Sequence, residues 1–149
     1  MLRGNHECRE MTTTHNFKKE VLYKYDQEVY QRILEVFDYL PLGAVVGNKF
    51  FTVHGGISPS LQLVKDINNI DRFREIPKKG LFCDLLWSDP IKKESGKIKN
   101  SFAHNSDRKC SYFYGKESTS KFLKKNNLLC LIRAHEVKFQ GYEFHNWGK

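Results

Sequence analysis

The chain has 149 residues, the length of one ordinary domain, so no second domain is required. Its composition, 40% hydrophobic and 28% charged, excludes an intrinsically disordered protein and is typical of a folded one. The formal net charge is +8, but the lysines form short scattered groups instead of one basic stripe, which argues against nucleic-acid binding.

The first predicted element is an amphipathic helix at residues 16–39, where apolar residues fall mostly three or four positions apart. Pro41 is expected to end it, because proline disfavours helical backbone at the preceding residue. Two short β-rich runs follow, at residues 42–46 and 50–53. The glycine-containing segment 47–49 between them predicts a β-hairpin.

The rest of the chain alternates strands, helices and loops. The predicted elements are a short helix at 60–70, a loop-rich segment at 71–105, a strand at 111–114, a helix at 117–126, a buried strand at 128–133 and a last strand at 142–145. The chain opens on a polar cluster with no strand before it and stops with its sheet unfinished. We therefore expect both ends of the domain to lie outside this sequence.

No apolar run is long enough to cross a bilayer, and the N-terminus has no signal-peptide pattern. We expect a protein that does not interact with membranes and is cytoplasmic, with the nucleus as a second location. The four cysteines are widely spaced and form no C-x-x-C pair, which predicts reduced and mostly buried thiols.

Three polar clusters each place a histidine in a loop or at a strand end: Asn5-His6-Glu7, His54-Gly55-Gly56 and Ala134-His135-Glu136. Strand ends are where α/β proteins build their sites. Neutral imidazole binds zinc, iron or manganese, and an asparagine carbonyl oxygen suits the harder of these ions. Glycines after a ligand histidine allow a tight turn and close approach of metal or phosphate. A single such histidine is more often structural, but three together favour a metal site.

Four motifs in order resemble the signatures of the phosphoprotein phosphatase family of serine/threonine phosphatases. They are residues 2–7 (LRGNHE), 53–59 (VHGGISP), 85–90 (LLWSDP) and 133–136 (RAHE). Calcineurin-type members are the most similar, through residues 5–9, 71–73, 110–114 and 126–129. The resemblance implies an α/β fold, a metallophosphoesterase-type β-sandwich flanked by helices. Residues 1–149 would form only an incomplete, C-terminal part of that catalytic domain.

The resemblance also implies roles for individual residues. Asn5, His54 and His135 would be ligands of one metal of a dinuclear centre, with Fe/Zn or Mn as the ions. His6 would be the general acid that protonates the departing Ser or Thr oxygen, and Arg108 would clamp the substrate phosphate. The reaction implied is hydrolysis of phosphoserine or phosphothreonine by a hydroxide that two metals activate.

Other residues of the motifs are interpreted as structural. Arg3 and Arg133 are expected to form ion pairs, Glu7 and Glu136 to orient neighbouring groups, Trp87 to lie in the core, and Ser88 and Asp89 to shape a turn before Pro90. Lys109 stands where calcineurin-type sequences usually have glycine. A lysine opposes positive φ there, so we expect Arg108 to be shifted slightly.

Two family motifs, Gly-Asp-x-His-Gly and Gly-Asp-x-x-Asp-Arg-Gly, are expected upstream of Leu2 and do not occur in this sequence. By the resemblance they carry the first metal's own ligands, the bridging carboxylate and the acid that pairs with His6. This chain would then hold at most one partial metal site. The family's Ser-Ala-Pro-Asn-Tyr segment, and the elements that bind a regulatory calcium-binding subunit and calmodulin, would follow Lys149.

The leading hypothesis is therefore a segment of a calcineurin-type phosphatase that acts on phosphoproteins and is inactive alone. A second hypothesis is a short, catalytically dead relative that binds phosphoproteins or a partner protein. A basic nucleic-acid-binding domain is the third, and it predicts an affinity that falls steeply with salt.

Overall fold

The computed structural model describes residues 1–91 and 101–145. Its helices are α1 (Arg9–Thr14), α2 (Phe17–Lys24), α3 (Gln27–Tyr39), a 3₁₀ helix at Val64–Asn69, α4 (Leu81–Trp87) and α5 (Lys116–Lys125). Its strands are β1 (Gly43–Val46), β2 (Phe50–Val53), β3 (Asp89–Pro90), β4 (Phe102–His104), β5 (Tyr112–Tyr114) and β6 (Cys130–Arg133). None of the helices in these two ranges is both long and apolar enough to cross a membrane.

Residues 16–39 form two helices, α2 and α3, instead of the single predicted one. The break lies at Asp26, whose backbone is extended with φ of −141°. Its carboxylate accepts a hydrogen bond from the amide of Val29 at 2.9 Å and so caps the N-terminus of α3. Val21 of α2 still packs against Tyr30 and Leu34 of α3. The apolar stripe therefore continues across a break that the periodicity could not reveal.

The first sheet has the strand order β1-β2-β6. β1 and β2 form the predicted antiparallel hairpin, and β6 runs parallel to β2 with Val53 opposite Arg133. Because the two strands are parallel and in this register, the segments that follow them leave the sheet at the same edge. His54 and His135 are carried by these two segments.

The second sheet has the order β3-β5-β4, with β3 parallel and β4 antiparallel to β5. Both sheets contribute to one hydrophobic core, through Phe51 and Val53 of β2 and Tyr114 of β5. Leu85 and Leu86 of α4 are fully buried in the same core. The fold is thus the predicted mixture of sheets and flanking helices.

The less regular parts differ from the sequence prediction in two places. Residues 71–105, predicted to be loop-rich with no helix, contain α4, in which every residue between its two ends is buried. Part of this predicted segment, residues 92–100, lies outside the described residues. A helix covered on all sides has no polar face, and therefore no amphipathic period. Residues 142–145 form no strand, and Tyr142 and Phe144 are 66% and 72% exposed.

The four cysteines are all free thiols, as predicted. Cys8 and Cys83 are buried, Cys110 is half-buried and Cys130 is exposed on β6. The expectation of mostly buried thiols therefore holds for two of the four. β6 is also less buried than predicted, since its side chains alternate between exposed and half-buried positions.

Candidate active site

Three side chains from distant parts of the sequence meet at the edge of the first sheet. His54 Nε2 lies 2.8 Å from Asn5 Oδ1 and 3.1 Å from His135 Nδ1. His135 Nδ1 lies 3.2 Å from Asn5 Oδ1. The three atoms thus form a nearly equilateral triangle. We call Asn5, His54 and His135 the triad.

With the Asn5 oxygen facing both rings, hydrogen bonding leaves at least one contact of this triangle unfavourable. An amide oxygen carries only lone pairs, and each ring nitrogen carries either a proton or a lone pair. If both nitrogens are protonated, their protons face each other. If only one nitrogen is protonated, the lone pair of the other still faces the lone pairs of the Asn5 oxygen. If neither is protonated, the lone pairs of all three atoms face one another. A cation that accepts all three lone pairs removes the conflict.

The donor set and spacing of the triad fit one metal ion. Two imidazole nitrogens and an amide oxygen suit zinc, iron or manganese. Three ligand atoms about 2.1 Å from one ion and about 90° apart are separated by about 3.0 Å, close to the spacing of the triad. Within residues 1–91 and 101–145, no group of three or more His, Cys, Asp or Glu side chains is placed to hold an ion.

Both triad histidines are held neutral. Burial lowers the pKa of His54 to about 4, and electrostatic contributions from Arg133, His6 and Arg108 act in the same direction. Burial likewise lowers the pKa of His135 to about 3, although Asp89 opposes the shift. A neutral imidazole keeps the lone pair that a metal ligand needs. At neutral pH the triad is therefore ready to bind a cation without first losing protons.

His135 is held in an unusual conformation. Its backbone has φ of +67°, in the left-handed region that non-glycine residues rarely occupy. Its side chain is only 2% exposed and packs edge-on against Trp87, with ring centroids 5.6 Å apart. Trp87 itself is half-buried at the margin of the core and not within it. Its contact with His135 was not anticipated from the sequence.

Arg108 lies beside the triad in a cluster centred on Asp89. The Nε of Arg108 donates to Asp89 Oδ2 at 2.8 Å, and Arg133 Nη2 donates to Asp89 Oδ1 at 2.8 Å. Asn105 Nδ2 also donates to Oδ2, at 3.0 Å. Asp89, Arg108, Asp107 and Glu136 line a cleft of about 260 Å³. The Arg108 side chain remains 30% exposed, so its guanidinium is accessible from this cleft.

Asp89 is the site residue that sequence reasoning missed. It was interpreted as a turn former, yet it begins β3 with a side chain only 4% exposed. Burial alone would raise its pKa, but hydrogen bonds from Arg108, Asn105 and Arg133 outweigh burial and lower it. Asp89 is thus an anion that holds two arginines. The available signal was an acidic residue two positions after the apolar residues 85–87, where a buried carboxylate needs a cationic partner.

His6 is exposed, unlike the buried Asn5 before it. His6 lies close enough to His54 to contribute electrostatically to the lowered pKa of His54. Its ring contacts that of His15, with centroids 4.7 Å apart. The structure therefore brings His6 and Arg108 to the surroundings of the triad.

Arg3 holds the loop that carries Asn5. Its side chain is fully buried and donates to Asp38 at 2.9 Å and to the carbonyls of Glu7 and Arg72 at 3.0 Å and 2.7 Å. The Glu7 carboxylate accepts a hydrogen bond from the Gly4 amide at 2.8 Å. These contacts agree with the predicted structural role of Arg3 and orienting role of Glu7.

Arg133 and Glu136 also behave as predicted. Arg133 pairs with Glu136 at 2.8 Å and donates to the carbonyls of Gly55 and Ser88 at 2.7 Å and 3.0 Å. These bonds join the ends of β2, α4 and β6. Arg133 thus fixes the two strand ends from which the triad histidines project.

Two sequence-based explanations need correction. Neither Gly55 nor Gly56 has positive φ; a Cβ at Gly55 would meet the Leu86 backbone at 2.7 Å, and one at Gly56 would meet the Tyr114 ring at 2.1 Å. Close packing therefore explains these glycines, not a turn near metal or phosphate. Lys109 adopts the left-handed conformation that it was expected to oppose, with φ of +59°. Arg108 keeps its ion pair with Asp89 despite this strain.

Comparison with known proteins identifies the family of the chain. The family model described as calcineurin-like phosphoesterase matches residues 1–139. The chain therefore belongs to the calcineurin-like phosphoesterase family.

Similar proteins include the serine/threonine-protein phosphatase 2B catalytic subunit A1 of Saccharomyces cerevisiae, 47% identical over all of this chain and 28% of that protein. The serine/threonine-protein phosphatase 4 catalytic subunit of the same yeast is 42% identical over 96% of this chain and 44% of its own length. Among solved structures, a Saccharomyces cerevisiae protein serine/threonine phosphatase with similarity to human phosphatase PP5 matches with a TM-score of 0.80. It is 34% identical and covers 92% of this chain, which spans 41% of that structure. The chain thus spans less than half the length of each of these proteins.

Proposed function

We propose that this chain is the C-terminal part of the catalytic domain of a serine/threonine protein phosphatase of calcineurin type. Its substrates would be phosphoproteins, and the whole protein would hydrolyse phosphoserine and phosphothreonine. The observation that carries this proposal is the convergence of Asn5, His54 and His135 within 3.2 Å of one another. The similar proteins are serine/threonine phosphatases, which supports the same reaction class.

Each site residue of this chain would have one role in the reaction. Asn5, His54 and His135 would hold one of two metal ions. The pair of ions would be iron with zinc, or manganese at both positions. When bound, such ions supply Lewis-acid activation of water and of phosphoryl oxygens. Arg108, anchored by Asp89, would orient the phosphate through its remaining N–H donors. His6, exposed beside the triad, would donate a proton to the departing oxygen.

The same arrangement predicts that residues 1–149 alone do not catalyse the reaction. The described part of the chain brings no carboxylate into the triad, and Asp89 is already occupied by Arg108 and Arg133. The bridging carboxylate and the partner acid of His6 would come from upstream motifs of a longer protein. Calcium-dependent regulation through a second subunit or calmodulin would require further segments, and remains a proposal for that longer protein.

The test is an activity assay with a phosphoserine peptide and manganese. The longer protein that contains this chain should turn over the peptide, and its His6→Ala variant should be slower by about 10²- to 10⁴-fold, the usual contribution of a general acid. Residues 1–149 alone should give background turnover. If the isolated chain shows manganese-dependent activity that disappears in its His6→Ala variant, the proposal that essential site residues lie outside residues 1–149 is wrong.

A further inference from the structure

The His6–His15 contact is not used by the proposed chemistry. Both side chains are exposed, and their ring centroids lie 4.7 Å apart with an angle of 44° between the ring planes. The triad rings of His54 and His135 have nearly the same separation, 4.9 Å. Two imidazoles on one zinc ion, with Zn–N bonds of about 2.0–2.1 Å, have centroids about 4.5–5.2 Å apart. The separation therefore fits two ligands of a shared ion.

The His15 ring has one nitrogen beside a backbone carbonyl, an arrangement common in metal-binding histidines. It caps the C-terminus of α1, where its backbone amide donates to the Met11 carbonyl at 2.9 Å. Its ring Nδ1 lies 3.2 Å from the same carbonyl. Because a carbonyl only accepts hydrogen bonds, this contact places a proton on Nδ1, and in the neutral ring the lone pair is then on Nε2. A backbone carbonyl on the other ring nitrogen is the usual support of a metal-bound histidine.

We propose that His6 and His15 form a separate binding site for one zinc ion, with water completing the coordination. The site is distinct from the triad, since it uses none of Asn5, His54 and His135. Imidazole is a preferred ligand of zinc, and two protein ligands leave open positions for exchange. This effect rests on the proposed function, in which His6 is the general acid. Zinc bound to His6 would prevent that proton transfer and so inhibit phosphate hydrolysis by the complete enzyme.

The test is a zinc titration of the isolated chain, followed by NMR of the imidazole nitrogens. The His6 and His15 signals should shift together and saturate at the same zinc concentration. The His54 and His135 signals report the triad separately, so failure of one site does not obscure the other. If zinc leaves His6 and His15 unchanged, the proposal is wrong.

A His15→Phe variant separates metal binding from simple ring packing. Phenylalanine keeps an aromatic ring against His6 but has no nitrogen ligand. The zinc affinity reported by His6 should fall by at least about 10- to 100-fold, the range seen when only a supporting partner of a ligand is removed. The control is His104→Phe, which removes another exposed histidine, on β4, and should change nothing at His6. An equal zinc response of His6 in the wild type and in His15→Phe would contradict the proposal.

Discussion

Asp89 is the residue whose replacement most directly tests the electrostatic design of the site. An Asp89→Asn variant keeps the shape of the side chain but removes its charge. Arg133 and Arg108 would lose their common anion, and the amide NH₂ would face donors instead of accepting from them. Removing one partner of a buried ion pair costs about 3–5 kcal/mol.

We expect a smaller loss, about 2–4 kcal/mol, because one of the two arginines can be rehydrated. The Arg108 side chain is 30% exposed, whereas that of Arg133 is 12% exposed. The assay is urea denaturation of the isolated chain, monitored by tryptophan fluorescence, to which Trp87 contributes from beside the cluster. The matched control is Glu117→Gln on α5, which breaks an exposed pair with Lys121 and should cost about 0.5 kcal/mol or less.

The pH dependence gives a second readout of the same prediction. The pKa of folded Asp89 lies below the ordinary value of 3.8. Its ionised form therefore stabilises the fold above about pH 4, and this contribution is lost as the pH falls through the folded-state pKa. The difference in free energy of unfolding between the wild type and Asp89→Asn should therefore become smaller as the pH is lowered. If Asp89→Asn has the same free energy of unfolding at pH 7 as Glu117→Gln, the reasoning is refuted.

Three further predictions concern packing, backbone strain and proton binding. Gly56→Ala should lower the free energy of unfolding by about 1–3 kcal/mol in urea denaturation, because its methyl group would collide with the Tyr114 ring; an unchanged midpoint would contradict this. Lys109→Gly should raise the free energy of unfolding by about 0.5–1 kcal/mol by relieving the left-handed backbone, and a loss of stability would show that the lysine side chain matters more. In the metal-free chain, His54 and His135 have pKa values of about 4 and about 3, below the ordinary 6.5, so unfolding takes up protons and stability should decline from about pH 6.5 downward. NMR titration showing either ring protonated at pH 6 would contradict this.

The local pattern of the sequence was sufficient for much of the architecture. The β1–β2 hairpin, α5 and β5 follow from periodicity and turn residues, which act within a few positions. The triad histidines were predicted from their places at strand ends and from motif resemblance. Their convergence depends on the parallel pairing of β2 with β6, a contact between residues some 80 positions apart. Register of that kind is set by tertiary packing and has no local signal.

The features that were missed depend on surroundings that no short window contains. α4 is buried on all sides, so its residues lack the polar face that identifies a surface helix. Asp89 acquires its role only because Arg108, Asn105 and Arg133 converge on it from other elements. Lys109 was judged by the intrinsic preference of lysine, and the surrounding contacts override that preference.

The most direct test of the account is pulsed electron paramagnetic resonance of the isolated chain with one equivalent of Mn²⁺, in the His15→Phe background. The triad predicts a bound ion coupled to two imidazole nitrogens, and loss of one of these couplings after His54→Gln. A spectrum of fully hydrated manganese, or nitrogen couplings unaffected by the His54 substitution, would contradict a metal site at Asn5, His54 and His135.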